Sequence, residues 1–211
     1  GKVFSGEVNP SGKTPDTFIY DMTTAPWWNN GEKIEYTNLA DMAVEGMNAG
    51  SPQVYAPAFT NYVEGIYVGY KYYETAAQEG FIDYDKTVQY PFGYGLSYTE
   101  FEQKMGELEE KDGQISVDVE VTNTGDVAGK DVVEVYYKPP YTNGGIEKAS
   151  ANLIEFAKTD LLQPGDSQTV TVTFDVEDMA SYDENDAEAY VLEKGDYVIS
   201  INRDSHTVLD Q

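Results

Sequence analysis

Tyr90-Pro-Phe-Gly-Tyr-Gly-Leu-Ser-Tyr-Thr-Glu-Phe101 separates two halves of a 211-residue chain that read differently. Gly93 and Gly95 permit tight bends, while Phe92, Tyr94, Leu96 and Tyr98 put large side chains on both sides of the backbone. A flexible spacer would be rich in Gly and Ser and poor in rings, so the composition predicts a packed joint. Beyond it lie short runs with an alternating pattern. In Ile115-Ser-Val-Asp-Val-Glu-Val121 the apolar residues share one face, and Thr169-Val-Thr-Val-Thr-Phe174 repeats the arrangement. Strands are predicted over 100–108, 115–123, 132–138, 149–158, 168–176 and 197–202. Turn signals fall at Asp112-Gly113, Thr124-Gly125, Asn143-Gly-Gly145, Pro164-Gly165 and Lys194-Gly195. That spacing predicts a mainly β fold, with an antiparallel β-sandwich over 102–211.

Ahead of the joint the reading is mixed. Val3–Val8 is compatible with a short strand or a helix tail, and Asn9-Pro-Ser-Gly-Lys-Thr-Pro15 has turn chemistry, leading into a strand at Thr17–Tyr20. Residues 21–61 hold no period for long, apart from a turn or two of helix predicted in Asn38–Gly46. The run Ile66-Tyr-Val-Gly-Tyr-Lys-Tyr-Tyr73 is β-branched and aromatic and predicts a strand, with a bulge or close backbone approach at Gly69. A short helix ended by Gly80 is expected over Glu74–Gly80.

Charge narrows the partners. Residues 1–100 carry 13 acids and 5 bases, residues 101–211 carry 25 and 8, and the net charge is −25. Such a surface repels phosphate backbones and anionic headgroups, so neither nucleic acid nor membrane is expected as a partner. There are no cysteines to form disulfides. No apolar run approaches the length of a membrane span, and no signal peptide opens the chain. The chain starts at Gly1-Lys-Val-Phe4, and any targeting segment is expected outside it, with a bacterial cytoplasmic or secreted location left open.

Four segments together resemble glycoside hydrolase family 3 in the same order. They are Gly6-Glu-Val-Asn-Pro-Ser-Gly-Lys-Thr-Pro-Asp-Thr-Phe18, Glu64-Gly-Ile-Tyr-Val-Gly-Tyr-Lys-Tyr-Tyr73, the joint itself, and Val121-Thr-Asn-Thr-Gly-Asp-Val-Ala-Gly129 with Val132-Val-Glu-Val-Tyr136. The resemblance implies the end of an α/β-sandwich domain over 1–89 with a loop insertion at 21–61. It further implies a hinge over 90–101 and a fibronectin type III-like domain over 102–211. The implied parent is a retaining enzyme acting on terminal β-glucosides, with the remaining barrel and α/β-sandwich domains as partners. Tyr94 and Lys71 depart from the family, where many members carry His and Arg; a Lys cannot reproduce a bidentate Arg contact.

Glycosidases of the usual kind use paired carboxylates. In the family the nucleophile lies in a Ser-Asp-Trp-like motif of the barrel, and the acid/base lies upstream of the Asn-Pro-Ser-Gly-Lys segment. This chain has no Ser-Asp-Trp, so no catalytic residue is expected in it and the chain alone is predicted to be inactive. Glu64 and Glu74 are expected to be structural. Trp27 and Trp28, the only tryptophans, are the candidate sugar contacts, because indole faces stack on pyranose rings and the N–H can donate. They would line a leaving-group subsite at the rim of the assembled active site, or else pin their own loop. His206, the sole histidine, is expected as a surface strand residue, and Asp183–Glu188 as a solvated connection. No metal or cofactor is expected. The alternative from another class is a free-standing, non-catalytic carbohydrate-binding or interaction module.

Overall fold

The computed structural model describes residues 1–30, 34–48, 51–55 and 58–211. Residues 31–33, 49–50 and 56–57, within the loop expected over 21–61, lie outside the described residues. The chain divides into two units, residues 1–20 with 66–211, and residues 21–65.

The first strand, β1 (Phe18–Ile19), belongs to the larger unit. The smaller unit opens with a 3-10 turn, Met22–Thr24, capped by the Asp21 carboxylate, which accepts the Thr23 N–H at 2.9 Å. It continues through β2 (Ile34–Glu35), the single helical turn α1 (Leu39–Met42), β3 (Val44–Asn48), β4 (Ser51–Tyr55) and β5 (Ala58–Phe59). Strand β2 pairs with β5 and β3 with β4, both antiparallel. Tyr36 packs on Phe59 with ring centroids 5.0 Å apart.

In the larger unit the strand predicted over 66–73 is instead helix α2 (Tyr70–Gln78). The correction has a local cause. Only Ile66 and Val68 are β-branched there, and from Tyr70 onward Tyr73 and Ala76 return every third residue to one buried face. Gly69, at φ +60, is the N-cap rather than a bulge. The predicted stop at Gly80 holds: Gly80, at φ +76, donates to the Ala77 carbonyl (3.0 Å) and Phe81 to that of Ala76 (2.8 Å), which is a Schellman closure. A short helix α3 (Tyr84–Thr87), capped by Asp83, runs into β6 (Val88–Tyr90), which pairs with β1.

The sandwich follows. Its strands are β7 (Phe101–Lys111), β8 (Gln114–Asn123), β9 (Val132–Lys138), β10 (Asn152–Lys158) and β11 (Ser167–Asp175). A small hairpin of β12 (Ser181–Asp183) and β13 (Ala189–Val191) precedes β14 (Val198–Asn202) and β15 (Val208–Asp210). One sheet has the order β10-β9-β14-β15 and the other β11-β8-β7, with antiparallel pairing throughout. The Asp112-Gly113 loop joins β7 to β8 with both residues at positive φ (54° and 82°), the type I′ geometry that matches strand twist. Val117, Val119 and Val121 of β8 face Val133, Val135, Ile199 and Ile201 of the other sheet, with Val170, Val172 and Phe174 completing the core. Each such fully buried aliphatic side chain contributes about 1.5–3 kcal/mol.

Strand β9 is different. Residues 132–137 are all buried, so its outer face is covered as fully as its inner one. That cover comes from the segments ahead of the sandwich, which form the site described next.

Candidate functional site

The outer face of the β9–β14 pair carries polar residues in register: Glu134 opposite Asn202, and Tyr136 opposite Ser200. All four are buried. The Tyr136 hydroxyl donates to Glu134 Oε2 at 2.9 Å, and the Ser200 hydroxyl donates to Asn202 Oδ1 at 2.8 Å. Over them lies the joint. Tyr70, the first residue of α2, stacks on Phe92 (4.7 Å, 24°) and meets Tyr136 edge-on at 6.1 Å. Its hydroxyl accepts the Leu153 N–H at 2.9 Å, tying α2 to β10.

Gly93 sits at φ +81 directly against Glu134, and a Cβ there would collide with the carboxylate. Burial pushes the Glu134 carboxyl up to about 7, against the opposing effects of Lys13 and the Tyr136 hydroxyl. Lys13 Nζ is 3.9 Å from Glu134 Oε1 and donates to the Arg203 carbonyl at 2.8 Å.

Two sequence motifs some eighty residues apart therefore form one structure. Thr14 donates to the Tyr94 carbonyl (2.7 Å) and Gly93 to that of Thr14 (2.9 Å), while Lys13 bridges to Gly95. Asn9 Oδ1 accepts from the Tyr98 N–H (2.8 Å) and the Ser97 hydroxyl (3.0 Å), and its Nδ2 donates to the Ala128 carbonyl (3.1 Å). Asn123, fully buried at the end of β8, closes the far side. It accepts the Thr99 hydroxyl at 2.7 Å and the Gly125 N–H at 3.2 Å, and donates to the Val127 and Leu162 carbonyls at 2.9 and 3.0 Å. Every polar valence of the amide is used.

The remaining sequence candidates fall elsewhere. His206 is not on a strand: it lies in the turn between β14 and β15, its ring stacked on Tyr84 (3.6 Å, 7°) and 2.8 Å from Glu74 Oε2. The expected surface position holds, but the strand does not, and its partners, 122 and 132 residues away, leave no trace in the local pattern. Glu74 is buried on α2 and also receives the Tyr84 and Ser205 hydroxyls at 2.6 and 2.8 Å. Lys71 is held below the ordinary lysine range by burial. Asp183 Oδ1 accepts the amides of Asn185 and Asp186 at 3.0 and 3.1 Å, which holds its carboxyl below the usual range. Trp27 and Trp28 lie in the smaller unit, where they remain 40% and 45% exposed. Among the described residues, no cluster of three or more Asp, Glu, His or Cys side chains is arranged to hold a metal.

The fold defines a fibronectin type III-like domain with an attached preceding segment, and residues 131–205 match the family model of that domain. The chain is 36% identical to a β-glucosidase of Ruminococcus albus over 96% of its own length and 18% of the relative's. It is 37% identical to β-glucosidase A of Butyrivibrio fibrisolvens over 93% of its length and 22% of the relative's. The β-glucosidase structure from Paenibacillus barengoltzii superposes with a TM-score of 0.77 at 36% identity, covering 98% of this chain and 20% of that one. The chain matches the C-terminal region of family 3 glycoside hydrolases, the end of the α/β-sandwich domain followed by the fibronectin type III-like domain. It spans about a fifth of the length of these curated relatives.

Proposed function

We propose that the chain is the architectural part of a retaining glycoside hydrolase acting on terminal β-glucosides, and that both catalytic carboxylates lie on its other domains. The observation that carries this reading is the joint. Residues 9–14, 70 and 92–99 bond to the sandwich and to one another through backbone and side-chain hydrogen bonds, so little freedom is left at the connection. A connection built this way holds a preceding domain in one orientation, which suits an active site assembled from groups on several domains. The proposed division is 1–89 for the end of the α/β-sandwich domain, 90–101 for the hinge and 102–211 for the sandwich. The partners are the remaining domains of the parent and its carbohydrate substrate.

Trp27 and Trp28 are the proposed sugar contacts, supported by their exposed indole faces. The same exposure favours a second reading, a free-standing carbohydrate-binding module.

Four measurements test the set. This chain alone and the native full-length product are assayed on an aryl β-glucoside, with the anomer first released followed by NMR. The expected result is no turnover by the chain alone, and β-anomer from the parent. Turnover by the chain alone overturns the assignment of the carboxylates elsewhere, and α-anomer overturns the retaining mechanism. Trp27→Ala and Trp28→Ala in the parent are expected to raise KM; unchanged KM for long and short substrates removes the sugar-contact role. A native product of about 23.4 kDa that binds oligosaccharide without cleaving it supports the module instead.

A further inference from the structure

Beside the joint lies a second cluster that the architectural role does not use. Glu74 is buried on α2, 8% exposed, and its two oxygens receive three side chains. The Tyr84 hydroxyl of α3 reaches Oε1 at 2.6 Å, and the Ser205 hydroxyl reaches the same atom at 2.8 Å. His206 Nδ1 stands 2.8 Å from Oε2. The imidazole is further fixed by its parallel stack on Tyr84 at 3.6 Å. Its backbone is held as well, since Asp204 Oδ1 accepts the N–H of His206 at 3.0 Å and of Thr207 at 2.8 Å. Ser205 in turn donates its N–H to the Phe92 carbonyl at 2.9 Å, linking this turn to the hinge.

We propose that the Glu74–His206 pair is a pH-dependent latch, fastening the Asp204–Thr207 turn of the sandwich to helix α2 while the imidazole is protonated and loosening it as the pH rises. The charged and titratable groups facing the ring are Glu74 from α2, Tyr84 and Asp85 from α3, and Asp204 of its own turn. Lys138 of β9 lines the same groove, of about 500 Å³. The nearest opposite charge is therefore a buried carboxylate, and the two aspartates act in the same direction. The hydrogen bond to Glu74 raises the imidazole above its ordinary value, with burial opposing. The ring's side chain is 43% exposed, so solvent can exchange its proton without opening the fold. A neutral ring can still donate from Nδ1, but it no longer contributes a charge to a desolvated carboxylate. The sign is that of a raised histidine: the contribution is complete below the ordinary imidazole value and is lost as pH climbs through the folded one.

The chain's single histidine makes the test direct, because only one imidazole Hε1 resonance titrates. In the full chain that resonance is expected to move with a midpoint above 6.5. Amide exchange at Ser205–Thr207, corrected for its intrinsic pH dependence, is expected to rise several-fold between about pH 6 and pH 8.5. Glu74→Gln keeps an acceptor and removes the charge, so the midpoint should fall to 6.5 or below and the exchange become flat with pH. Should that variant not fold, His206→Gln, which cannot titrate, should alone abolish the exchange dependence. A wild-type midpoint at or below 6.5, or an exchange profile unchanged in His206→Gln, overturns the latch.

Discussion

Gly93 lies with its Cα against the carboxylate of Glu134, at φ +81, where the segment proposed as the hinge crosses the outer face of β9. Both the missing Cβ and the positive φ are required at that point. Gly93→Ala is expected to cost about 2–4 kcal/mol, from the left-handed backbone together with a clash that the enclosed carboxylate cannot escape cheaply. Gly165→Ala is the control, since Gly165 has φ +84 but open space around it. It should cost only the backbone part, about 1–2 kcal/mol. Urea unfolding of the two variants checks the difference, and equal costs would remove the role of Glu134.

Glu134 itself makes a pH prediction. Its carboxyl stands at about 7 in the fold against an ordinary 4.5, so the folded state holds the proton more tightly than the unfolded chain. Stability then falls as pH rises from 4.5 to about 7, by on the order of 3 kcal/mol over the window. Glu134→Gln keeps the shape and cannot ionise. It should lose this dependence and exceed the wild type in stability above pH 7. Stability curves collected at closely spaced pH values test the sign, and a wild-type curve that rises through this window would refute it.

Asn123 makes four hydrogen bonds in a fully buried position between the Thr99 end of the hinge and the Val127 and Leu162 carbonyls. Asn123→Ala removes all four bonds and leaves the buried Thr99 hydroxyl without its acceptor, for an expected loss of about 3 kcal/mol. Because Thr99 belongs to the hinge, hydrogen exchange should quicken there as well as in β8. A loss confined to β8 would show that the hinge does not depend on the amide.

Ile201 of β14 is fully buried in the sandwich core. Ile201→Ala is expected to cost about 2–5 kcal/mol, the range for truncating a packed aliphatic side chain. Asp112→Val should cost about 1–2 kcal/mol for a different reason, since a β-branched residue at φ 54° strains the type I′ loop. Thermal denaturation distinguishes both from exposed substitutions, which fall within about ±0.5 kcal/mol.

The sandwich was legible because its signals are local. The alternation in Ile115–Val121 is the observed burial of β8, and the strand predicted over 132–138 coincides with β9. Asp112-Gly113 and Gly80 were readable as a turn and a helix stop because positive φ is a property of single residues. Aromatic enrichment misled at 66–73, since tyrosine fits a strand or a buried helix face equally well and only the spacing of Tyr70, Tyr73 and Ala76 separates them.

The residue pattern by itself determined the sandwich, its turns and the four motifs that carry the family resemblance. Tertiary structure alone decided that those motifs bond to one another, that the outer face of β9 is buried under Phe92 and Gly93, and that Glu74 and His206 meet. The reason is physical. Strand period and turn dihedrals are set by neighbours one to four residues apart, whereas the cover on Glu134 and the partner of His206 arrive through chain closures of 41 to 132 residues, which no local pattern encodes.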